Sequence, residues 1–204
     1  MHRTRFTLVS AGLLVSLAAS AATTYGLSLR RGTRVGFATT VSALGLESPV
    51  NGWSQAVTGP TIPWSVDQTR LERPATFTLP TSSLSTGLAL RDRDIQQILE
   101  ARRFPTIRFD LQKIDGLNAA EVASGKGDFH VGGSLTAHGL AQPVRLACTF
   151  VRQAGTIQIK GRTTVTWRDF GLTVPTAMGG TVRAKDSLDL LLESTWDLDR
   201  LPIH

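Results

Sequence analysis

The stretch LRDRDIQQILEARRFP, Leu90 to Pro105, holds the residues best placed by type and spacing for acid–base chemistry. Asp92 and Asp94 alternate with Arg91 and Arg93, and Arg102 and Arg103 follow. A general acid needs a carboxyl that stays protonated near the working pH. The flanking arginines would hold both carboxylates ionised, which does not suit that role. Of the four histidines, His2 lies in the N-terminal leader-like stretch and His204 is the last residue, leaving His130 and His138 as candidate bases or ligands. They share strand parity but stand eight residues apart, about 26 Å on a straight strand. That is too far to share a metal unless the chain bends sharply between them. His130 reads as a surface-face histidine, and His138, beside Gly139, as a turn histidine. The single cysteine, Cys148, sits in VRLACTF on the same face as Val144, Leu146 and Phe150. A buried, inert thiol is the expectation, and one cysteine makes no intramolecular disulfide. No G-x-S-x-G, H-E-x-x-H, G-x-G-x-x-G, C-x-x-C or phosphate-loop pattern occurs. The reading is of a chain without catalytic residues, metal or cofactor.

The charges of the opening stretch have structural positions instead. Ile95, Ile98 and Leu99 fall at i, i+3 and i+4, one apolar stripe of a helix expected over about 92–103. Asp92 and Asp94 suit its N-terminal end and Arg102 and Arg103 its C-terminal end, and Pro105 stops it. So short a helix is unstable alone, so its stripe must rest on something else.

That something is written as alternation with a period of two. Phe77 and Leu79 share a face in TFTLP, and Ile107, Phe109 and Leu111 share one in TIRFDLQK. Phe129, Val131, Gly133 and Leu135 align in DFHVGGSLT, and Ile157, Ile159, Gly161, Val165 and Trp167 in TIQIKGRTTVTW. SLDLLLESTW aligns Leu188, Leu190, Leu192, Ser194 and Trp196. TRVGFATTV and TIPWSV repeat the pattern through Val35, Phe37 and Val41 and through Ile62, Trp64 and Val66. Turn residues punctuate these runs and the opposite faces are polar, as antiparallel sheets with one wet side require. The expected class is all-β, with about eight antiparallel strands forming a closed barrel or a sandwich.

The first residues, MHRTRFTLVSAGLLVSLAASA, place Arg3 and Arg5 before an apolar core and end on Ala19-Ser20-Ala21. They read as an export signal over 1–21, leaving one domain over 22–204. As a helix, Phe6 to Ser20 would span only about 22 Å, short of the roughly 30 Å of a bilayer core. Periplasmic or secreted location is expected. The formal charge of +6 is scattered and no basic run is interleaved with aromatics, so nucleic acid is not indicated. A mildly basic exterior is compatible with contact at an anionic membrane surface.

The apolar residues of all these strands point one way. In a narrow barrel they would meet one another; in a wider one they would line a cavity for an apolar ligand. Gly133, Gly161 and Ser194 on otherwise bulky faces would leave room for such a cavity, or would serve only to bend the strands. The lining expected is Phe77, Leu79, Phe109, Leu111, Phe129, Val131 and Leu135 from the first half, with Leu146, Phe150, Ile157, Ile159, Trp167 and Leu190 from the second. The alternatives are a filled structural barrel and a hydrolase-type enzyme using His130 or His138.

Several spaced motifs resemble the YceI-like family: Ser85-Thr86-Gly87, Arg91-Asp92, RRFPTIRF at Arg102 to Phe109, GSLTAHGLAQPV at Gly133 to Val144, RDFGL at Arg168 to Leu172 and the closing DSLDLLLE. The resemblance runs from about Tyr25 to Trp196. It implies an exported, lipocalin-like antiparallel β-barrel with a long apolar pocket that binds a long-chain isoprenoid or another apolar lipid, with quinone handling proposed for some members. Dimers occur in such barrels. By this analogy Arg91 and Asp92 would fix the helix or the ligand head. Where the family often has a histidine two residues after that pair, this chain has Asp94, and RGTRVGF lacks the histidine many members carry on the first strand. Trp167 stands where many members have arginine.

Overall fold

The computed structural model describes residues 25–64, 70–153 and 155–200. The leader-like segment 1–21 and Val66 lie outside the described residues. The chain opens with β1 (Tyr25–Leu29), β2 (Arg34–Ala43), β3 (Leu46–Ser54), β4 (Ile62–Trp64) and β5 (Arg70–Pro80). The first helix, α1 (Ala89–Ile98), separates β5 from β6 (Thr106–Asp115), and α2 (Ala119–Ser124) precedes β7 (Lys126–Ala137). Next come β8 (Leu140–Gln153), β9 (Thr156–Thr166), the short β10 (Thr176–Ala177) and β11 (Val182–Ala184), and finally β12 (Ser187–Arg200).

The sheet is antiparallel. Its long strands run in the order β3-β2-β12-β9-β8-β7-β6-β5. β12 offers one edge to β2 and, further along, to β1, so β1 and β2 act as two pieces of one broken strand. No continuous ladder joins β3 to β5 among the described residues. Two isolated bridges span that seam: the backbones of Trp53 and Ser85 exchange bonds of 2.8 and 2.9 Å, and those of Thr58 and Thr78 exchange two of 2.9 Å. The expected count of about eight matches the strands of nine or more residues, but the described residues form twelve strands. The four extra ones are two to five residues long; of these only β4 is marked by alternation, through Ile62 and Trp64 in TIPWSV.

One end of the barrel carries α1 and the other α2. At the α1 end, Phe37, Leu79, Trp167, Phe170, Leu172 and Leu188 are buried together, with Ile95, Ile98 and Leu99 of α1 packed on them. The predicted stripe thus rests on the barrel. Its bounds differ from expectation, because Leu88 rather than an aspartate stands at the N-cap, and Glu100 turns left-handed (φ 45°) just after Leu99. Arg102 and Arg103 therefore lie in the turn beyond the helix. At the α2 end, Leu27, Ile62, Ile114, Phe129, Phe150 and Trp196 form a second cluster. α2 was not legible as a helix. It has six residues and is defined by its capping box, in which the Asn118 side chain accepts from the Glu121 amide and Glu121 reaches back to the Asn118 amide.

Candidate functional site: an apolar tunnel between two cores

The two core clusters do not merge. Phe77, Phe109, Leu135, Leu146 and Leu190 point inward between them yet are only half-buried. A filled barrel would bury them completely; here they face a cavity of about 260 Å³. Along β12 the lining runs from Leu188 to Trp196, eight residues or about 26 Å at the usual rise. Among the described residues lining the cavity, only Thr33 and Thr78 carry polar hydroxyl side chains and none is charged. A charged group inside would give up its hydration without a partner, so the tunnel suits hydrocarbon alone.

Eleven of the thirteen expected lining residues face this cavity: Phe77, Leu79, Phe109, Leu111, Phe129, Val131, Leu135, Leu146, Ile159, Trp167 and Leu190. Phe150 and Ile157 do not. Both have the correct parity, but they sit where the α2 end is already filled. Phe150 packs edge-on against Phe129 at 6.1 Å between ring centres, and Ile157 rests on the same cluster. Parity fixes the face of a strand, not how far along the lumen is open. Of the two readings of the small residues, room for a cavity or a bend in the strand, the room is absent. A Cβ on Gly133 would come within 2.7 Å of the Phe109 ring, and one on Gly161 within 2.8 Å of the Cys148 thiol. Gly133 lies beside a register shift in β6, between Leu111 and Lys113, so it accommodates a bend. Ser194 is buried as the acceptor of the Trp196 indole N–H at 2.8 Å. Cys148 is buried as expected, and desolvation pushes its thiol up to about 12, leaving it protonated and inert.

Lining residues beyond the expected thirteen include Ile62, Ile107, Leu188 and Trp196, all in the alternating runs, Leu27 of β1, and Ile95, Ile98 and Leu99 on α1. The helix stripe was visible, but its contact with the lumen is a property of the fold.

The motifs outside the tunnel hold α1 over its end. Asp92 accepts three bonds, from the Ser85 hydroxyl (2.6 Å), the Thr86 amide (2.7 Å) and the Thr86 hydroxyl (2.7 Å). Because Ser85 also bridges to Trp53 across the seam, one carboxylate ties the helix to both edges of the sheet. Hydrogen bonds from Ser85 and then Thr86 hold Asp92 below its ordinary value of 3.8, and Arg91, expected to be the main cause, contributes least. His138 is the turn residue expected. Its Nδ1 contacts the Phe170 carbonyl at 3.0 Å and its Nε2 the Glu100 carboxylate at 3.1 Å, while its ring stacks edge-on with Phe104 at 4.7 Å. It therefore joins the exit of α1, the β7–β8 turn and the RDFGL segment. That segment is a single turn closed by a Thr166–Asp169 capping box and a left-handed Gly171, which sends Phe170 and Leu172 into the core. His130 is half-exposed, 3.9 Å from Asp115. Neither histidine lines the tunnel.

The clamp on α1 has a pH consequence. A carboxylate whose value is lowered on folding stabilises the fold above its unfolded value and loses that contribution as pH falls through its folded one. Protection of the α1 amides from hydrogen exchange should thus fall in acid below pH 3.8, and in Asp92→Asn it should already be reduced at neutral pH. Wild-type protection in that variant at neutral pH would show that the clamp does not hold the helix.

The sequence over residues 29–194 matches the model of the YceI-like domain. The chain belongs to the YceI-like family. No curated protein matches this YceI-like chain, but solved structures do. It is similar to Burkholderia cenocepacia BcnA, at 14% identity and a TM-score of 0.63 over 82% of this chain and 99% of that one. A polyisoprenoid binding domain from Saccharophagus degradans, implicated in plant cell wall breakdown, matches at 12% identity and a TM-score of 0.57, covering 85% and 97%. The Campylobacter jejuni YceI protein matches at 17% identity and a TM-score of 0.58, covering 76% and 87%. At these identities the likeness is one of fold.

Proposed function

We propose that this YceI-like protein is an exported carrier that holds the tail of a long isoprenoid, a polyisoprenoid or an isoprenoid quinone, in the tunnel and performs no chemistry on it. The observation that carries the reading is the apolar cavity of about 260 Å³, with no charged residue in its described lining, left between two separate cores. The Saccharophagus degradans domain of the same fold is a polyisoprenoid binding domain, which supports an isoprenoid over a fatty acid. The leader-like residues 1–21 support export.

The tunnel recognises length. Each CH₂-sized group buried contributes about 0.8 kcal/mol, and ordering a flexible chain takes back part of that. Across a series of isoprenoid alcohols, affinity should rise by at least about tenfold per added isoprene unit until the lumen is full, then level off. Titration by intrinsic tryptophan fluorescence reads this through Trp167 and Trp196, both of which line the tunnel. A series with no gain in affinity would contradict the proposal.

A further inference from the structure

The α1 end bears a feature that the barrel does not require. β2 extends past its pairing with β12, which ends at Ala38, and continues beside β11 through Val41 to Ala43. With β3 and β10 this makes a small projecting lobe with two adjacent tips. One tip is Leu44-Gly45, closing β2 onto β3, and the other is Met178-Gly179-Gly180, between β10 and β11. Leu44 is 87% exposed, Met178 82% and Leu46 75%. Leu44 and Met178 also have left-handed backbones, φ 51° at both. The two-residue turn Leu44-Gly45 with positive φ calls for Asn or Gly, and a bulky L residue with positive φ is strained at either tip. Folding therefore disfavours these two side chains twice, through strain and through exposure. Departures from local rules without a structural gain are expected where function imposes them.

The remaining exposed large apolar residues fit the same end. Leu88 and Leu90 stand at the start of α1 and Leu140 at the start of β8, and only Val151 belongs to the opposite end. Charge at this end is uneven in availability. Glu47, Glu100 and Asp186 are engaged by Lys185, Arg103 and Arg168, and Asp92 and Asp169 are used in the α1 clamp and the capping box. Among the described residues Arg91, Arg93, Arg102 and Arg183 are in no ion pair, against Asp94 alone of the acids here. Arg93, Arg102 and Arg103 also face a shared polar groove at the C-terminal turn of α1.

We infer that the α1 end is a membrane-docking surface: the tips carrying Leu44, Leu46 and Met178 enter the interface of a bilayer while the unpaired arginines meet anionic phosphate headgroups. The inference rests on the carrier reading for its purpose, since it sets the α1-covered end of the tunnel against the store of lipid. Apolar side chains with neighbouring cations are the ordinary means of interfacial attachment.

Flotation of the purified protein with vesicles tests it, using 3:1 phosphatidylethanolamine:phosphatidylglycerol against phosphatidylcholine alone, with isoprenoid binding measured separately in solution. Wild type should float with the anionic vesicles and weakly or not at all with the neutral ones. The double variant Leu44→Asn/Met178→Asn relieves the strain at both turns, so its melting midpoint should hold or rise, while vesicle affinity should fall by at least about tenfold. Arg93→Gln/Arg102→Gln/Arg183→Gln should lose affinity for anionic vesicles by roughly a hundredfold. Both variants should bind isoprenoid as wild type does. Wild type that binds isoprenoid but ignores anionic vesicles overturns the docking surface and leaves the carrier reading intact. Vesicle binding without isoprenoid binding supports the surface and removes the carrier reading. A wild-type dimer that the double variant dissolves, with no vesicle binding, identifies the tips as a contact between copies and overturns the proposal.

Discussion

Leu190→Trp should abolish measurable isoprenoid binding while the protein stays folded. Leu190 lies on the central strand β12, between Phe37 of β2 and Thr163 of β9, and its half-buried side chain faces the lumen. An indole at this point takes up lumen that the ligand would otherwise fill. If it displaces roughly four CH₂-sized groups at about 0.8 kcal/mol each, the loss is about 3 kcal/mol, more than a hundredfold in the dissociation constant. Overpacking should cost about 1–3 kcal/mol of stability, well within the 5–15 kcal/mol typical of a domain. Ile157→Val serves as the control. Ile157 rests on the α2-end cluster but does not line the tunnel, so this change should cost about 0.5–1.5 kcal/mol and leave affinity unaltered. Isothermal titration with a long isoprenoid alcohol separates the two variants. Equal affinity in both would place the ligand elsewhere.

Trp167→Ala should be the most destabilising single substitution at the α1 end. The side chain is buried, its indole N–H donates to the Lys185 carbonyl at 3.0 Å, and it packs with Phe170, Leu172 and Leu188 beneath α1. Truncating a buried tryptophan costs about 3–5 kcal/mol, and the Lys185 carbonyl loses its donor as well. Thermal unfolding should fall by on the order of 10 °C for a chain of this size. Trp167→Phe keeps most of the packing and should recover most of that loss. A Trp167→Ala protein that melts with the wild type would mean that this cluster does not support the α1 end.

Trp167 also shows how far the sequence could be read. Its inward parity was legible from TIQIKGRTTVTW, and it does face the lumen. The strand, however, stops at Thr166, and Trp167 opens the tight turn of RDFGL. The long strands were legible because alternation over nine or more residues is a strong signal, and the stripe Ile95, Ile98, Leu99 was legible against that background. What escaped was depth along the barrel. Phe150 and Ile157 have the same parity as Phe129 and Ile159, and only the packing of Phe150 on Phe129 shows that the lumen is closed there. The small residues left two readings open, room or a bend, for a related reason. The space beside Gly133 and Gly161 is taken by the Phe109 ring and the Cys148 thiol from neighbouring strands, and register across strands is not written in any one of them. The role of Asp92 depends in the same way on Ser85 and Thr86 folding back onto it, which moved the origin of its lowered value from Arg91 to hydroxyl and amide donors.

Native mass spectrometry of the protein purified from its own host, followed by lipid extraction of the same sample, tests the central claim most directly. The account predicts a bound mass that co-purifies, leaves with organic extraction and proves to be a long isoprenoid. A clean unliganded mass that persists after incubation with long isoprenoid alcohols would contradict it.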